Sequence, residues 1–222
     1  MNQIVKNYRR IISQIERYNK EFSSTSQDPK LIAVSKTFPE EKIQLIINEG
    51  HLVFGENRVQ EAIKKWPNLK KKNNNLELHL IGPLQSNKVK EAVEIFDVIQ
   101  TIDREKIAKK IKEQIEKTNK KNMQFFVQVN IGNELQKSGI QINELKNFLY
   151  WCQNEIQLKI TGLMCIPPLD EEPSFYFNIL RNLCNKYKLQ HASMGMSNDF
   201  IKAIQFGATY LRVGSAIFGP RG

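Results

Sequence analysis

Eight short apolar runs separated by helical stretches constrain this 222-residue chain more than any other feature. They are Leu31–Lys36, Leu52–Asn57, Glu77–Gly82, Asp97–Ile102, Met123–Asn130, Leu158–Ile166, His191–Ser197 and Tyr210–Ser215. Each has the length of a strand, and all but His191–Ser197 have the Val, Ile, Leu and Phe content of one buried on both faces. A helix follows each of the first seven. The first is opened by Pro39-Glu40-Glu41 and stopped at Gly50, and Val59–Trp66 and Asn87–Phe96 come next. Arg104–Lys117 is capped by Asp103, Ile142–Asn154 and Ser174–Lys186 follow, and Asp199–Phe206 stops at Gly207. Alternation of this kind builds a parallel sheet, and eight units close it into a (β/α)8 TIM barrel. An open doubly wound sheet is the competitor, but LIAVSKTFPEE carries no Gly-rich loop after the first strand.

An extra N-terminal helix is expected over residues 1–22. Ile4, Tyr8, Ile11, Ile12, Ile15 and Tyr18 recur there at helical spacing, and Arg9, Arg10 and Glu16 take the wet side. Only seven residues follow Ser215, so no full eighth helix is expected, and the N-terminal helix is the candidate to cover that gap on the barrel. The polar stretch Ser23–Pro29 breaks the chain between them, and residues 1–222 read as a single domain.

Composition narrows the function classes. The net charge of +10 invites a nucleic-acid reading, but the lysines spread over helices and a Lys70–Asn75 loop without interleaved aromatics. A solvated basic face in a Lys-, Asn- and Ile-rich chain is the better reading, with no nucleic acid as partner. No apolar run is long enough to span a bilayer, and Met1–Arg10 lacks a secretory core, so no membrane partner and a cytoplasmic location are expected. Cys152, Cys165 and Cys184 have no metal-type spacing and read as reduced core thiols. No metal site is expected. A monomer is the expected state, with a weak dimer as the alternative.

The chemistry collects at the carboxyl ends of the runs, where barrels of this class carry their sites. Lys36 ends the first, Asn57 the second, and His79 sits in the third ahead of Gly82-Pro83. Ser193 and Ser197 share a face of the seventh, and Arg212 and Gly214 a face of the eighth, before Ser215. Closure pairs strand eight with strand one, so Lys36 and Arg212 become neighbours. A lysine at a water-poor mouth beside a guanidinium can form a Schiff base with a carbonyl. The amides around Gly214-Ser215 and the Ser197 hydroxyl form a phosphate cradle. Together they point to a phosphorylated aldehyde. Arg212 can donate to a ring nitrogen but cannot accept a proton, which would weaken a pyridine electron sink. Taken singly, Lys36 could be a snorkelling side chain and His79 a hydrogen-bonded core residue. An inward arginine costs several kcal/mol unless paired, so Arg212 is harder to read as structural.

The motifs AVSKT (33–37), FGENRVQE (54–61), HLIGPLQSNK (79–88), KSGI (137–140), GLMCIPP (162–168), SMGMSNDF (193–200) and LRVGSAIFG (211–219) resemble the pyridoxal phosphate homeostasis protein family. The resemblance runs in order from Leu31 to Gly219 and implies the barrel of the alanine racemase N-terminal domain. It implies that Lys36 carries pyridoxal 5′-phosphate (PLP) as a Schiff base, that Ser197, Gly214 and Ser215 hold the phosphate, and that Arg212 faces the pyridine nitrogen. Asn57 and His79 would line the ring. Ser215 stands where threonine is common, a change that keeps hydroxyl and amide. The implied role is a carrier in vitamin B6 homeostasis, with PLP-dependent apoenzymes as recipients and no catalytic residues. A weak PLP-dependent racemase completed by dimerisation and a Schiff-base aldolase are the alternatives. Whether Lys88 or Lys137 marks a second PLP site stays open.

Overall fold

The apolar runs pair with their sequence neighbours, in parallel and in chain order, and the last returns to the first. In the computed structural model, which describes residues 2–22, 28–118, 120 and 122–220, β1 (Lys30–Val34), β2 (Val53–Glu56), β3 (Glu77–Leu80) and β4 (Val98–Ile102) form one half of the closed barrel. The other half is β5 (Gln124–Val129), β6 (Ile160–Cys165), β7 (His191–Ser193) and β8 (Tyr210–Val213). Closure aligns Lys30, Leu31, Ile32 and Ala33 of β1 with Tyr210, Leu211, Arg212 and Val213 of β8. Several strands stop short of the expected ends. β1 ends at Val34 and β7 at Ser193, which leaves Lys36 and Ser197 on the turns that leave the barrel.

The helices are α1 (Gln3–Phe22), α2 (Glu40–Ile47), α3 (Val59–Lys72), α4 (Val89–Ile95), α5 (Glu105–Thr118), α6 (Leu145–Tyr150, continued by a π-turn over Trp151–Glu155), α7 (Pro173–Lys186), α8 (Phe200–Gln205) and α9 (Ser215–Phe218). Their buried faces form the main core against the outer face of the barrel, with Trp66, Phe54, Phe96 and Phe177 among its largest fully buried side chains. After β8 the described residues form the single turn of α9, and α1 packs on α8 and α9, with Asn7 Nδ2 donating to the Ile217 carbonyl at 3.1 Å. The Ser23–Ser26 part of the expected breaker lies outside the described residues, as does Gln27.

One helix outruns its expectation. α3 continues through Pro67 to Lys72 instead of stopping at Trp66, so Lys70, Lys71 and Lys72 belong to its last turn and not to a loop. Pro67 and Ile63 are both exposed, so the carbonyl that loses its helical partner faces water, while Trp66 and Leu69 stay buried on the barrel side. The cations at its C-terminus suit the helix dipole, and Lys70 also pairs with Asp97. The three cysteines are free and buried, in keeping with their reading as reduced core thiols, and burial pushes each up to about 12. No helix among the described residues is long and apolar enough to cross a membrane.

His51, just before β2, ties α1 to the barrel. Its ring packs edge-on against Tyr8 of α1 at 5.4 Å and Phe54 of β2 at 5.2 Å, and Nε2–H donates to the Val53 carbonyl at 2.7 Å. Burial lowers its pKa to about 4. A histidine depressed in the folded state is protonated first in the unfolded state, so its share of stability is present above about pH 6.5 and lost toward pH 4. Between pH 7.5 and 5 the loss is expected to be roughly 2 kcal/mol. Urea denaturation of the parent and of His51→Gln at both pH values checks it: the parent should lose more stability than the variant by that amount.

Candidate functional site

The turn that leaves β1 is held from outside the barrel by a buried ionic cluster. Lys65 of α3, one-tenth exposed or less, donates to the carbonyls of Ser35 at 3.0 Å and Phe38 at 3.1 Å. It also pairs with Glu56 at 2.8 Å and Glu61 at 2.7 Å. Glu56 accepts from the Ser35 hydroxyl at 2.6 Å and from the Trp66 indole at 3.1 Å. Burial pushes the Glu56 carboxyl up, and Lys65 and Ser35 hold it back. Glu61 accepts the Thr37 amide at 2.5 Å, and Thr37 itself sits in the left-handed region at φ 68°. The Ser35 and Phe38 carbonyls and the Thr37 amide are thereby tied, and Lys36 lies within that turn.

Lys36 lines a cavity of about 450 Å³ at the carboxyl end of the barrel, a size ordinary for a small-molecule site. Asn57, Ser197, Arg212, Gly214 and Ser215 line it too, so six of the seven expected residues come together. Ser197 Oγ accepts from the amides of Gly214 and Ala216, both at 3.3 Å. An oxygen held by two amides that leave the end of β8 is the position a phosphate oxygen needs. Gly214 lets this turn lie close against β1: a Cβ there would lie 3.1 Å from the Val34 carbonyl oxygen and 3.2 Å from Val34 Cβ.

Arg212 forms the cavity's inner wall. It is buried and forms no ion pair among the described residues. Its partners are neutral: Nη1 donates to Ser193 Oγ and Nη2 to the Cys165 carbonyl, each at 2.7 Å. Burial disfavours its charge, and Asp199, another cavity residue, favours it through space. Such a guanidinium keeps donor capacity for a group that is not part of the chain.

His79 is the one expected residue outside this lining. It is fully buried inside the barrel and absent from the cavity wall. Its Nε2 meets Glu77 at 2.6 Å and its Nδ1 meets Gln100 at 2.8 Å, so both nitrogens are engaged below the mouth. Burial lowers its pKa, opposed by Glu77. Alternation along β3 gives the inward face but not the depth. Asp199 on this wall, and Gln100 and the Cys165 carbonyl behind Arg212, are not among the expected residues. Gln100 could have been found as the amide side chain at the middle of a buried strand, whereas a backbone carbonyl such as that of Cys165 leaves no trace in sequence. Lys137 pairs with Glu134 and donates to the Pro167 carbonyl at 3.2 Å, and Lys88 pairs with Glu91 beside a separate groove bordered by Arg58 and Gln85. Neither lines the cavity of Lys36.

Removing one member of the outer cluster tests its role. Lys65→Met leaves Glu56 buried without its cation and frees two carbonyls, and is expected to cost about 3–5 kcal/mol. Lys65→Met with Glu56→Gln should recover at least half of that in chemical denaturation, because the uncompensated charge is gone.

Residues 8–222 match the family model for the alanine racemase N-terminal domain. The pyridoxal phosphate homeostasis protein of Pasteurella multocida is 44% identical over 86% of each chain, and that of Haemophilus influenzae 40% identical over 98% of this chain and 96% of the other. Among solved structures, PipY of Synechococcus elongatus without PLP has a TM-score of 0.87 at 32% identity, covering 98% of this chain and all of PipY. The same protein with PLP bound has a TM-score of 0.80 at 34% identity, over 93% of this chain and 100% of that one. Alanine racemase from Corynebacterium glutamicum shares the fold, with a TM-score of 0.64 at 18% identity over 92% of this chain and 60% of that one. With this barrel and these full-length likenesses, the chain belongs to the pyridoxal phosphate homeostasis protein family.

Proposed function

We propose that the chain binds pyridoxal 5′-phosphate at Lys36 and serves intracellular vitamin B6 homeostasis as a carrier, with PLP-dependent apoenzymes as recipients. The observation that carries this is the buried Arg212, without an ion-pair partner among the described residues, on the wall of the cavity shared by Lys36 and the Ser197 cradle. The family names of the relatives and the PLP-bound PipY structure support the same ligand. When bound, PLP supplies an aldehyde that condenses reversibly with amines and a ring that withdraws electrons from the bond formed.

The chain's own residues divide the work of holding it. Lys36 presents the amine from a turn fixed by Lys65, Glu56 and Glu61. Ser197 and the amides of Gly214, Ser215 and Ala216 take the phosphate. Asn57 stands on the opposite wall, and Arg212 offers the ring nitrogen a donor that cannot accept its proton. That arrangement favours retention over turnover. Racemisation needs proton carriers on both sides of a substrate carbon. No tyrosine or histidine lines the cavity among the described residues. Its carboxylates are engaged elsewhere, Asp199 with the Met196 amide and Glu171 with the Tyr176 hydroxyl.

Borohydride reduction of the yellow protein followed by peptide mapping tests the anchor. The pyridoxyl adduct is expected on Lys36, and Lys36→Ala should abolish both colour and adduct; a main adduct on Lys88 or Lys137 overturns the assignment. A colourless protein that condenses with a phosphorylated carbonyl substrate would favour the aldolase reading. The cradle is tested separately. Gly214→Val should weaken PLP at least about tenfold, the worth of one charge-assisted hydrogen bond, and leave unphosphorylated pyridoxal nearly unchanged. Circular dichroism serves as the folding control, and equal weakening of both ligands would count against phosphate recognition.

A further inference from the structure

A barrel interior of this class is ordinarily packed with Val, Ile and Leu, yet four polar side chains cross this one from wall to wall. Arg212 of β8 donates to Ser193 Oγ of β7 at 2.7 Å, and Ser193 bonds Gln100 Oε1 of β4 at 2.6 Å. Gln100 Nε2 meets His79 Nδ1 of β3 at 2.8 Å, and His79 Nε2 meets Glu77 at 2.6 Å. Arg212, Ser193, Gln100 and His79 are all buried, and Glu77 reaches the closed end of the barrel, where its side chain is 30% exposed.

The ends dictate the direction of the whole chain. Arg212 can only donate, and an ionised Glu77 can only accept. Ser193 must then pass its hydroxyl proton toward Gln100, the amide must turn its NH2 to His79, and His79 must be the neutral Nε2–H form. Reversing the amide would require both imidazole nitrogens to carry protons, a charge that full burial opposes. The hydrogen bond from His79 in turn lowers the Glu77 carboxyl. Around this end stand Lys30 of β1, Asp97 ahead of β4, and His191 and Tyr210, whose rings lie 5.2 Å apart. At the other end the Cys165 thiol and Asp199 act on Arg212 through space, each favouring its charge. Polar groups fully satisfied in one direction make a rigid unit, and a broken link leaves the rest poorly paired.

We propose that Gln100, His79 and Glu77 are positioning residues for Arg212, a one-way chain that fixes its guanidinium as a permanent donor at the cavity's inner wall. The proposal rests on the PLP reading for its consequence: a fixed Arg212 keeps the ring nitrogen unprotonated, so the closed end of the barrel sets the cofactor's electronics at the mouth. The chain itself can be tested without cofactor.

Gln100→Leu and His79→Gln break the chain at neighbouring links, and Ile107→Ala in the outer helix layer serves as a destabilised control. In cofactor-free protein, NMR should show the Arg212 guanidinium hydrogens exchanging with solvent at least about tenfold faster in both chain variants than in the parent or the control. In loaded protein, PLP affinity should fall about tenfold in the same two variants. Their absorbance should also acquire a titration between about pH 6 and pH 8 that the parent and Ile107→Ala lack. Rapid exchange and a new titration in either folded variant support the chain. Exchange and absorbance unchanged from the parent in a folded variant overturn it. Should the parent take up no coloured cofactor, the PLP reading falls, and the Arg212 exchange rates alone still decide for or against the chain.

Discussion

The pairing of β1 with β8 is the contact on which the site depends. A parallel barrel closes only when its first and last strands meet, and here that seam aligns Ile32 with Arg212 and Ala33 with Val213. Two residues further along, the turn after Val34 carries Lys36, while Gly214 and Ser215 leave β8 beside it. Groups separated by nearly the whole chain thus share one rim because closure fixes their register. Gly214 makes the seam tight: its neighbour across the gap is the Val34 backbone, and any side chain would press on a carbonyl that cannot move without disturbing β1. α1 then seals the outside of the seam by packing on α8 and α9.

Much of this is legible in the sequence because strand ends carry both signals at once. Lys36, Asn57, Ser197, Arg212, Gly214 and Ser215 each sit at or just past the end of a short apolar run, and a barrel gathers such positions by construction. His79 shows where that logic stops. Its inward orientation follows from alternation, but whether an inward residue reaches the mouth depends on strand stagger, which no local pattern records. Gln100 is hidden for a related reason, since a polar residue within VIQTI reads as strand interior until its partners on β3 and β7 are known. The continuation of α3 through Pro67 was hidden by the general rule for proline, and is explained by which side of the helix faces water. The Lys65 cluster was invisible as well, because it joins α3 to the β1 turn through backbone carbonyls.

The two buried charge systems solve opposite problems. Outside the barrel wall, Lys65 meets two carboxylates and two carbonyls, so its charge is neutralised where it stands and its effect is to hold a turn. Inside, Arg212 meets no carboxylate directly among the described residues; its positive charge is solvated by a hydroxyl and a carbonyl. A carboxylate at the position of Ser193 would pair the guanidinium as an ion pair, but it would quench the positive potential at the cavity wall. Neutral acceptors fix the geometry of the arginine and leave its charge available to a ligand.

That division also places the determinants of the cavity on both halves of the barrel. Strands β1, β7 and β8 supply the amine, the cradle and the guanidinium, all adjacent around the closure seam. The side chains that orient the guanidinium come from β3 and β4 across the interior. A barrel filled with aliphatic layers would pass no directional constraint across its axis, because apolar contacts have no donor and acceptor ends. Hydrogen bonds do, and a chain anchored by a residue that can only donate and one that can only accept has a single low-energy arrangement. The polar interior therefore lets the side of the barrel remote from the seam constrain the group that faces the ligand.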